Sequence, residues 1–376
     1  MKGETANMAK AKRVTSTEVA KLAGVSQATV SMVLSGSERA SFSEDTKKRV
    51  LNAAKALNYQ LPAQRSAKRA HAKMILVLIP TLTNPYYSEL VQVLEQYSDT
   101  VGYRMIVCNT FRKVDMERYY LEQVLSSQYS GIIYTFLPSL TEQIAQIAGR
   151  MPVVLIGEKT DALPICSIEL NNRRAGVILA DHLYELGHRH IAFISTPIGQ
   201  LTLARGQRLE GMRDRVQELA ERDGCRDARV DALVCGDEST DAEMTAVGTS
   251  FEFNIGKKLT AEFLASGNTA TALVGANDMI AFGIISQLRS SGLRVPKDYS
   301  VCGFDNVFTS SMVTPGLTSI DHRLMARCRT AIQMIIQQDN LEDSMAEKIE
   351  YTPQLVARNS TAAPIAGKSG NGACDS

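Results

Sequence analysis

Residues 14–34 read Val14-Thr-Ser-Thr-Glu-Val-Ala-Lys-Leu-Ala-Gly-Val-Ser-Gln-Ala-Thr-Val-Ser-Met-Val-Leu34 and contain two short helical patterns joined by a turn. Thr15 and Glu18 fit a capping box, in which each side chain satisfies a backbone N–H at the start of a helix. Gly24 stands where this helix must end, because glycine adopts the left-handed cap conformation without a clash. Ser26 is a suitable N-cap for a second helix that extends to about Leu34. The pattern predicts a helix-turn-helix, whose second helix enters the DNA major groove.

A small apolar core is expected between these helices. A third helix is predicted to begin at Ser43, with Glu44 and Asp45 at its positive end, and to extend through Asn58. The side chains expected to face inward are Val19, Ala20, Leu22, Ala23, Val30, Val33, Leu34, Val50, Ala53, Ala54 and Leu57. The same kind of turn joins ordinary helical hairpins in larger helical domains. The turn alone therefore does not distinguish a DNA-binding head from such a hairpin.

Charge is divided unevenly along the chain. Residues 1–73 carry 14 basic and 5 acidic side chains, a net charge of +9, whereas the remainder carries −8. This asymmetry favours nucleic acid as a partner at one end only. Phosphate contacts would supply most of the affinity, and base-edge contacts would select the site. A solvated basic tail fits residues 1–13, which we expect to be disordered, but not the capped helices that follow.

The head also resembles a known family. The residues that carry the resemblance are Thr17-Glu-Val-Ala-Lys-Leu-Ala-Gly-Val-Ser26 and Ala28-Thr-Val-Ser31, followed by Val33-Leu-Ser-Gly36, Ser43-Glu-Asp-Thr46 and Leu57-Asn-Tyr59. They are similar to the head of the lactose/galactose repressor (LacI/GalR) family, and the similarity continues through the body. The resemblance implies a dimeric transcription regulator that binds a palindromic operator in double-stranded DNA. It also implies switching by a small-molecule effector, a sugar or sugar derivative, without enzymatic activity or a cofactor.

The predicted DNA contacts lie mainly on the second helix. Gln27, Ala28 and Thr29 are the best candidates for base contacts, while Ser31 and Lys48 are expected on phosphates. The remaining candidates in the head are Thr15, Ser26, Met32 and Tyr59. Met32 can contact a thymine methyl group but cannot donate to guanine, and relatives often carry a polar or basic residue there. We therefore expect a different operator base at that position.

Residues 60–73 read as a basic linker without apolar periodicity. In the family this segment forms a hinge helix on DNA, and a leucine wedges into the minor groove. The corresponding position in this chain is Lys68 or Arg69, depending on the alignment. We expect Arg65, Lys68 and Arg69 to contact DNA, whereas a leucine-type kink stays an open question.

Length and composition bound the remaining possibilities. The chain has 376 residues, more than one ordinary domain, and no apolar run approaches the roughly 18 residues that span a bilayer. The first residues lack the apolar stretch of a secretory signal, so we expect a cytoplasmic, nucleoid-associated protein. The seven cysteines are scattered and include no Cys-x-x-Cys pair, so we expect reduced residues and no metal site. His188 and His190 are interpreted as local capping groups.

From Met74 onward, short apolar runs alternate with amphipathic stretches, as in two parallel-sheet lobes of an α/β protein. Helical patterns include residues 87–101 and 116–128. The predicted strands cover residues 75–80, 105–108, 131–136, 152–156, 190–195, 230–235, 270–275 and 299–303. A nucleotide-binding enzyme would show similar alternation, but the sequence contains neither a Gly-x-Gly-x-x-Gly after a strand nor a Gly-x-x-x-x-Gly-Lys-Ser/Thr motif. The predicted architecture is a small all-α head on a periplasmic-binding-protein-like body.

Several body motifs follow predicted strands, at the sheet edge where open α/β folds bind ligands. The motifs are Thr83-Asn-Pro-Tyr-Tyr87, Arg208-Leu-Glu-Gly211, Gly275-Ala-Asn-Asp278 and Gly303-Phe-Asp-Asn306. Charged and amide groups suit paired hydroxyls, and aromatic faces suit the apolar side of a sugar ring. From the resemblance, the effector pocket comprises Tyr86, Tyr87, Arg208, Phe251, Asn277 and Asp305. Phe251 follows a stretch, residues 237–250, that is longer than usual in the family.

Some positions depart from the family or have a simpler structural interpretation. Helix capping is favoured for Asp278 and Asn306, and ligand contact for Arg208 and Asp305. The family's usual Asp after the fourth strand is Gly157, and its usual Asp-Asn pair is Asn171-Asn172. The pocket is therefore not a copy of a known one, and the effector stays open.

The expected organisation is an arm (1–13), a DNA-binding head (14–59), a hinge (60–73), an effector-binding and dimerisation body (74–358) and a disordered tail (359–376). Because the tail lacks heptads, a dimer is favoured over a tetramer. Two alternatives belong to other classes of protein. One is a cytoplasmic sugar-binding receptor without a DNA function, and the other is an enzyme on a Rossmann-like fold, for which no nucleophile–base pair is evident.

Overall fold

A computed structural model of the chain describes residues 15–35, 42–57, 59, 73–126, 129–157, 163–198, 203–236, 250–340 and 346–365. The chain forms two compact units, Met1–Lys73 and Met74–Ser376. Each unit has its own hydrophobic core. The hinge residues Arg65, Lys68 and Arg69 and the arm lie outside the described residues.

The head contains three helices, α1 (Ser16–Ala23), α2 (Gln27–Ser35) and α3 (Glu44–Ala56). The predicted capping box of Thr15 and Glu18 is present, and Gly24 caps α1 with a φ of 65°. The core consists of Val19, Ala20, Ala23, Val30, Val50, Ala53 and Ala54. Leu22 does not belong to it, since 57% of the residue is exposed. Its position between Val19 and Ala23 places it on the outer face of the helix.

The N-terminal lobe is a parallel sheet with strand order β11-β5-β4-β3-β1-β2. Its strands are β1 (Met74–Ile79), β2 (Arg104–Asn109), β3 (Gly131–Tyr134), β4 (Val153–Gly157), β5 (Cys166–Leu170) and β11 (Lys348–Tyr351). The helices of this lobe are α4 (Pro85–Thr100), α5 (Val114–Ser126), α6 (Thr141–Ala148) and α11 (Leu324–Asn340). The central strands are covered on both faces, which explains their continuous apolar runs.

The C-terminal lobe has strand order β12-β10-β9-β8-β6-β7, in which only the β10–β12 pairing is antiparallel among the described strands. Its strands are β6 (His190–Ser195), β7 (Arg229–Val234), β8 (Ala272–Gly275), β9 (Ser300–Asp305), β10 (Thr318–Asp321) and β12 (Gln354–Val356). The helices are α7 (Asn172–Glu185), α8 (Leu203–Asp223), α9 (Phe251–Ala265) and α10 (Asp278–Ser290), and a 3-10 helix spans Phe308–Ser311. The prediction of two parallel-sheet lobes is confirmed.

The chain passes between the lobes at residue 171, at residues 322–323 and at residues 352–353. Each passage joins a strand of one sheet to an element of the other lobe. The β5 and β10 strands end at the first two passages, so their carboxyl ends face each other across the gap between the sheets. These three short passages are the covalent connections between the two lobes.

The expectation that the tail becomes disordered at residue 359 is wrong for residues 359–365. Ser360 is fully buried. Its hydroxyl accepts a hydrogen bond from the backbone N–H of Thr318 at 2.8 Å and donates to the carbonyl of Val301 at 2.6 Å. Residues 359–365 show no apolar periodicity, so their hydrogen bonds to neighbouring strands could not be predicted from the sequence. Residues 366–376 lie outside the described part of the chain.

The structure also corrects the expectations for cysteine and histidine. Cys108, Cys166, Cys235, Cys302 and Cys328 are free and buried, as expected. Cys225 is disulfide-bonded, so the expectation of reduced cysteines is wrong there. The histidines 188 and 190 do not cap a helix, because both rings hydrogen bond to residues of other strands and loops.

Candidate functional site

The α2 helix presents a polar outer face because its apolar residues are turned toward the head core. Val30 is fully buried, whereas Gln27 and Ser31 are exposed one helical turn apart. The hydroxyl of Ser26 accepts a hydrogen bond from the backbone N–H of Thr29 at 3.1 Å, so Ser26 caps the helix. The Nε2 of Gln27 donates to the hydroxyl of Ser16 at 2.7 Å. This bond joins the starts of α1 and α2.

The other predicted DNA contacts occupy varied positions in the head. Thr15, Ser26 and Lys48 are exposed, whereas Thr29, Met32 and Tyr59 are partly buried. The hydroxyl of Thr29 is 2.9 Å from that of Ser26, and Tyr59 packs against the head core. The side chain of Ala28 lies outside the described atoms. The assignment of these residues to DNA stays a prediction.

A cleft separates the two lobes at the carboxyl ends of their strands. Five of the six predicted effector residues line it, namely Tyr86, Tyr87, Arg208, Asn277 and Asp305. The residues that the sequence analysis did not assign to it are Asn84, Arg112, Thr135, Gly157, Leu170, Asn172, Ala204, Arg205, Glu252 and His322. The open space is about 90 Å³, below the roughly 300 Å³ typical of small-molecule pockets. A sugar-sized ligand therefore needs some opening of the lobes or movement of the lining arginines.

Arg208 lies on the floor of this cleft and is only 6% exposed. It is held by hydrogen bonds to the Asn172 side chain at 3.0 Å and to the carbonyl of Ala276 at 2.7 Å. Its Nη2 lies 3.7 Å from Oδ1 of Asp305, and its guanidinium covers the Phe304 ring. These contacts hold the planar guanidinium in one orientation, so a ligand that contacted it would not need to order it.

Asp305 and His322 complete this polar cluster. Asp305 ends β9 with a φ of 109°, a conformation that non-glycine residues rarely adopt and that is common at ligand-binding sites. The Nε2 of His322 is 3.1 Å from Oδ1 of Asp305 and 2.9 Å from Nη2 of Arg208. Burial and the neighbouring Arg208 lower the pKa of His322 to about 4, so the ring is neutral at pH 7. Its buried Nδ1 has no partner among the described residues.

Glu252 forms a second polar centre and links the two lobes. Its carboxylate accepts hydrogen bonds from Arg205 at 2.6 Å and from Asn277 at 2.8 Å, both in the C-terminal lobe. It also accepts a hydrogen bond at 2.7 Å from Asn84, the N-cap of α4 in the N-terminal lobe. Phe251, the sixth predicted effector residue, packs on the C-terminal core, whereas the adjacent Glu252 lines the cleft.

The capping interpretation of two residues is also corrected. Asn277, not Asp278, caps α10 by accepting from the N–H of Ile280. Asp278 is fully buried and accepts hydrogen bonds from the hydroxyls of Ser310 and Ser319. Burial and the nearby Asp305 raise its pKa to about 8. Asn306 accepts a hydrogen bond from Arg358 instead of capping a helix.

Comparisons with known proteins match both units of the chain. Residues 15–61 match the sequence model described as bacterial regulatory proteins, lacI family, and residues 180–361 match the periplasmic binding protein-like domain. The HTH-type transcriptional repressor PurR of Mannheimia succiniciproducens is 31% identical over 348 residues, which cover 91% of this chain and 97% of that protein. The chain belongs to the LacI family. The HTH-type transcriptional regulator DegA of Bacillus subtilis is 29% identical over 92% of this LacI-family chain and 97% of its own length.

Solved structures agree with the two-lobed fold. A periplasmic binding protein/LacI transcriptional regulator of Alkaliphilus metalliredigens, complexed with D-xylulofuranose, is 25% identical with a TM-score of 0.62. A LacI family transcriptional regulator of Enterococcus faecium with bound ribose is 24% identical with a TM-score of 0.63. Each alignment covers 77% of this chain and 99% of the other.

The family membership distinguishes between the three classes of protein considered from the sequence: a transcription regulator, a sugar-binding receptor and an enzyme. The LacI-family chain is a DNA-binding transcription regulator, and its relatives belong to a non-enzymatic class. Among the described residues, no group of three or more His, Cys, Asp or Glu side chains is placed to hold a metal ion. In that same part of the chain, no helix is long and apolar enough to cross a membrane.

Proposed function

We propose that this regulator is a dimeric repressor whose operator binding is switched by a sugar or sugar derivative in the interlobe cleft. The observation that carries the proposal is the hydrogen bond between Asn84 and Glu252, which joins the two lobes inside a cleft lined with polar groups. A ligand that enters the cleft competes for these groups. Ligand binding therefore changes how the lobes are held together.

On the DNA side, α2 is the element that reads bases. Gln27 and Ser31 are exposed on one face of the helix. The Oε1 of Gln27 accepts no hydrogen bond from a described residue and can accept one from adenine N6. Lys48 is exposed on α3 and suits a phosphate contact. The hinge residues Arg65, Lys68 and Arg69 add contacts to the backbone or minor groove. The net charge of +9 on residues 1–73 supplies salt-dependent affinity.

On the ligand side, the cleft has the groups that a polyhydroxylated molecule needs. Arg208 and Asp305 offer a donor fork and an acceptor at one centre, and Glu252 and Asn277 offer both at the other. Tyr86 and Tyr87 contribute aromatic surface. The sugars in the related solved structures belong to those proteins, and they support a sugar as the ligand class for this chain.

Switching follows from a shift between two arrangements of the lobes. Two hydrogen bonds connect the lobes, one between Asn84 and Glu252 and one of 2.7 Å from the Phe308 N–H to Glu89. A ligand that replaces the first of these bonds favours a different hinge angle at the three passages between lobes. The population shifts only by as much as the ligand prefers one arrangement.

Dimerisation is supported by exposed apolar residues near the outer edge of the N-terminal sheet. These residues are Ile106, Val107, Phe111, Val114 and Tyr119. Ile106 and Val107 lie on the edge strand β2, and the other three follow it in the turn and in α5. Exposed apolar groups at a sheet edge favour pairing with another chain, and a second copy is the proposed occupant. Two heads then read the two halves of a palindromic operator.

The experiment uses fluorescence anisotropy with duplexes selected from a random pool, at several salt concentrations. We expect a steep loss of affinity with salt, a stoichiometry of two chains per duplex, and a palindromic consensus. Gln27→Ala should weaken binding by about 1–3 kcal/mol, roughly 5- to 150-fold, and relax preference at one base of each half-site.

Ser16→Ala is the matched control, because it removes the hydrogen bond between α1 and α2 but keeps Gln27. It should leave the base preference unchanged. An equal change of preference in both variants would mean that Gln27 only braces the head. If the wild-type protein gave no salt-dependent complex but bound sugars, the receptor without a DNA function would be the correct interpretation.

A further inference from the structure

Arg327 is an unusual residue of the N-terminal lobe because its charge is buried without a counterion among the described residues. It lies in the first turn of α11 and is fully buried. Its Nη1 donates to the hydroxyl of Tyr86 at 3.2 Å, whereas its Nε and Nη2 have no hydrogen-bond partner among the described residues. Burying a guanidinium in this way is costly unless an anion accompanies it.

The carboxylates near the cleft are already engaged elsewhere. Asp305 is close to Arg208 and His322, and Glu252 is paired with Arg205. Arg327 forms no ion pair with any described residue. The protein therefore offers Arg327 no anion of its own within the described part of the chain.

Gly157 gives the cleft access to this guanidinium. It ends β4 at the carboxyl edge of the sheet, where it lines the cleft with a φ of 133°. A Cβ atom at this position would stand 4.0 Å from Nη2 of Arg327. Because glycine has no side chain, no Cβ of residue 157 stands between the cleft and the buried guanidinium behind it. A ligand oxygen at the position of this Cβ would need to move about 1 Å closer to Nη2 to accept a hydrogen bond from it.

A second cation lies on the same wall. Arg112 lines the cleft from the N-terminal lobe, is partly exposed, and makes no hydrogen bond or ion pair with another described residue. In contrast, Arg205 and Arg208 of the C-terminal lobe are both paired with carboxylates. The uncompensated positive charge of the cleft is therefore concentrated on the N-terminal side.

We propose that the effector is an acidic sugar derivative, whose carboxylate or phosphate binds Arg327 and Arg112 at Gly157. Its hydroxyl groups then bind Arg208, Asp305 and the Glu252 centre on the opposite lobe. This inference rests on the proposed ligand-binding role of the cleft and specifies the chemical class of the ligand. An oxyanion on one lobe and hydroxyls on the other would bridge the cleft, which is what a ligand needs to set the hinge angle.

The test measures thermal shifts and dissociation constants for four probes: D-gluconate, D-glucuronate, glucose 6-phosphate and neutral D-glucose. The wild-type protein should bind at least one acidic probe at least tenfold more tightly than glucose. Binding of the carboxylates alone or of the phosphate alone identifies which oxyanion the site accepts.

Arg327→Met should raise the melting temperature of the ligand-free protein, because an apolar side chain replaces an unpaired buried charge. The same variant should bind the acidic probe at least tenfold more weakly. Arg104→Met is the matched control: Arg104 is an exposed arginine of the same lobe, so its loss should leave the affinity for acids unchanged. Arg112→Ala, at a partly exposed position, is the alternative variant if Arg327→Met does not fold. It should weaken the binding of the acidic probes but not that of glucose.

The inference is overturned if no acidic probe binds more tightly than glucose, or if Arg327→Met and Arg112→Ala keep the wild-type affinity for acids. Operator binding, measured in parallel by anisotropy, separates this result from a failure of the proposed function. A neutral sugar that switches operator binding while acids do not would refute only the acidic ligand. A protein that binds no operator would refute the proposed regulator itself.

Discussion

The guanidinium of Arg208 connects three parts of the cleft floor: the start of α7 through Asn172, the end of β8 through Ala276, and the passage between lobes through His322. Arg208→Lys replaces this planar fork with a single ammonium group that cannot reach all three partners. At least one buried acceptor then loses its donor, so we expect a loss of about 1–3 kcal/mol in the free energy of unfolding. Urea unfolding at pH 7 measures it.

The matched control for this residue is Arg215→Lys on the same helix. Arg215 pairs with Asp181 and Glu218 at the partly exposed surface, so its replacement should cost less than about 1 kcal/mol. Equal losses in the two variants would show that the floor of the cleft does not depend on the geometry of Arg208.

At the residue scale, the sequence indicated Arg208 and Asp305 because each belongs to a recognisable motif. Glu252 was missed by one position, since the preceding stretch of unusual length shifted the alignment toward Phe251. Arg327 gave no signal, because nothing in its local pattern distinguishes it from an exposed arginine of an amphipathic helix. Its burial arises from the packing of α11 on strands whose residues are distant in the chain.

At the scale of elements, the crossing of α7 and α8 sets the position of Arg208. A Cβ atom on Gly176 would overlap the carbonyl oxygen of Arg208, and one on Gly211 would overlap that of Arg173. Gly176→Ala must therefore push the helices apart and displace the backbone that carries Arg208. We expect a loss of about 1–3 kcal/mol in urea unfolding.

Gly149→Ala is the control for this substitution. Gly149 ends α6 with right-handed helical angles, and the nearest atom to an added Cβ is at 3.5 Å, an ordinary contact. Its replacement should change stability by less than about 0.5 kcal/mol. A Gly176 variant as stable as this control would mean that the helix pair tolerates separation.

The strands β5, β11 and β12 were not predicted from the sequence, for two physical reasons. The β5 strand contains Ser167 and Glu169, which are buried and hydrogen bonded to each other, so the run lacks a continuous apolar signature. The β11 and β12 strands lie at sheet edges, are short, and carry mostly exposed or partly exposed side chains. Their place depends on the passages between lobes, which no local pattern encodes.

At the scale of the whole molecule, the unequal charge and the two-lobed body could be predicted, but the course of the last residues could not. The C-terminal segment 359–365 returns to the body and meets His188, which is 1% exposed. The Nε2 of His188 donates to the carbonyl of Ala362 at 2.9 Å, and its Nδ1 accepts from the hydroxyl of Thr271 at 2.7 Å. One neutral imidazole thus connects the tail of the chain to the sheet of the C-terminal lobe.

The neutral state of this ring makes stability depend on pH. Burial lowers the pKa of His188 to about 4, whereas the unfolded chain has a histidine pKa near 6.5. Between these values the unfolded state binds more protons, so the stabilising contribution is present above about pH 6.5 and is lost as the pH falls toward 4. The expected loss from this residue between pH 7 and pH 5 is about 2 kcal/mol.

His188→Gln tests this dependence, because glutamine can still donate to Ala362 but does not titrate. We expect the variant to be less stable at pH 7, yet to lose about 2 kcal/mol less than the wild type when urea unfolding is repeated at pH 5. Comparing the two proteins cancels the contributions of other titrating groups, including His322. Ser360→Ala removes hydrogen bonds to Thr318 and Val301 from the same C-terminal segment and leaves the contacts of His188 in place, so it should lower stability without changing the pH dependence. A His188 variant with the full wild-type loss would place the acid sensitivity of the fold elsewhere.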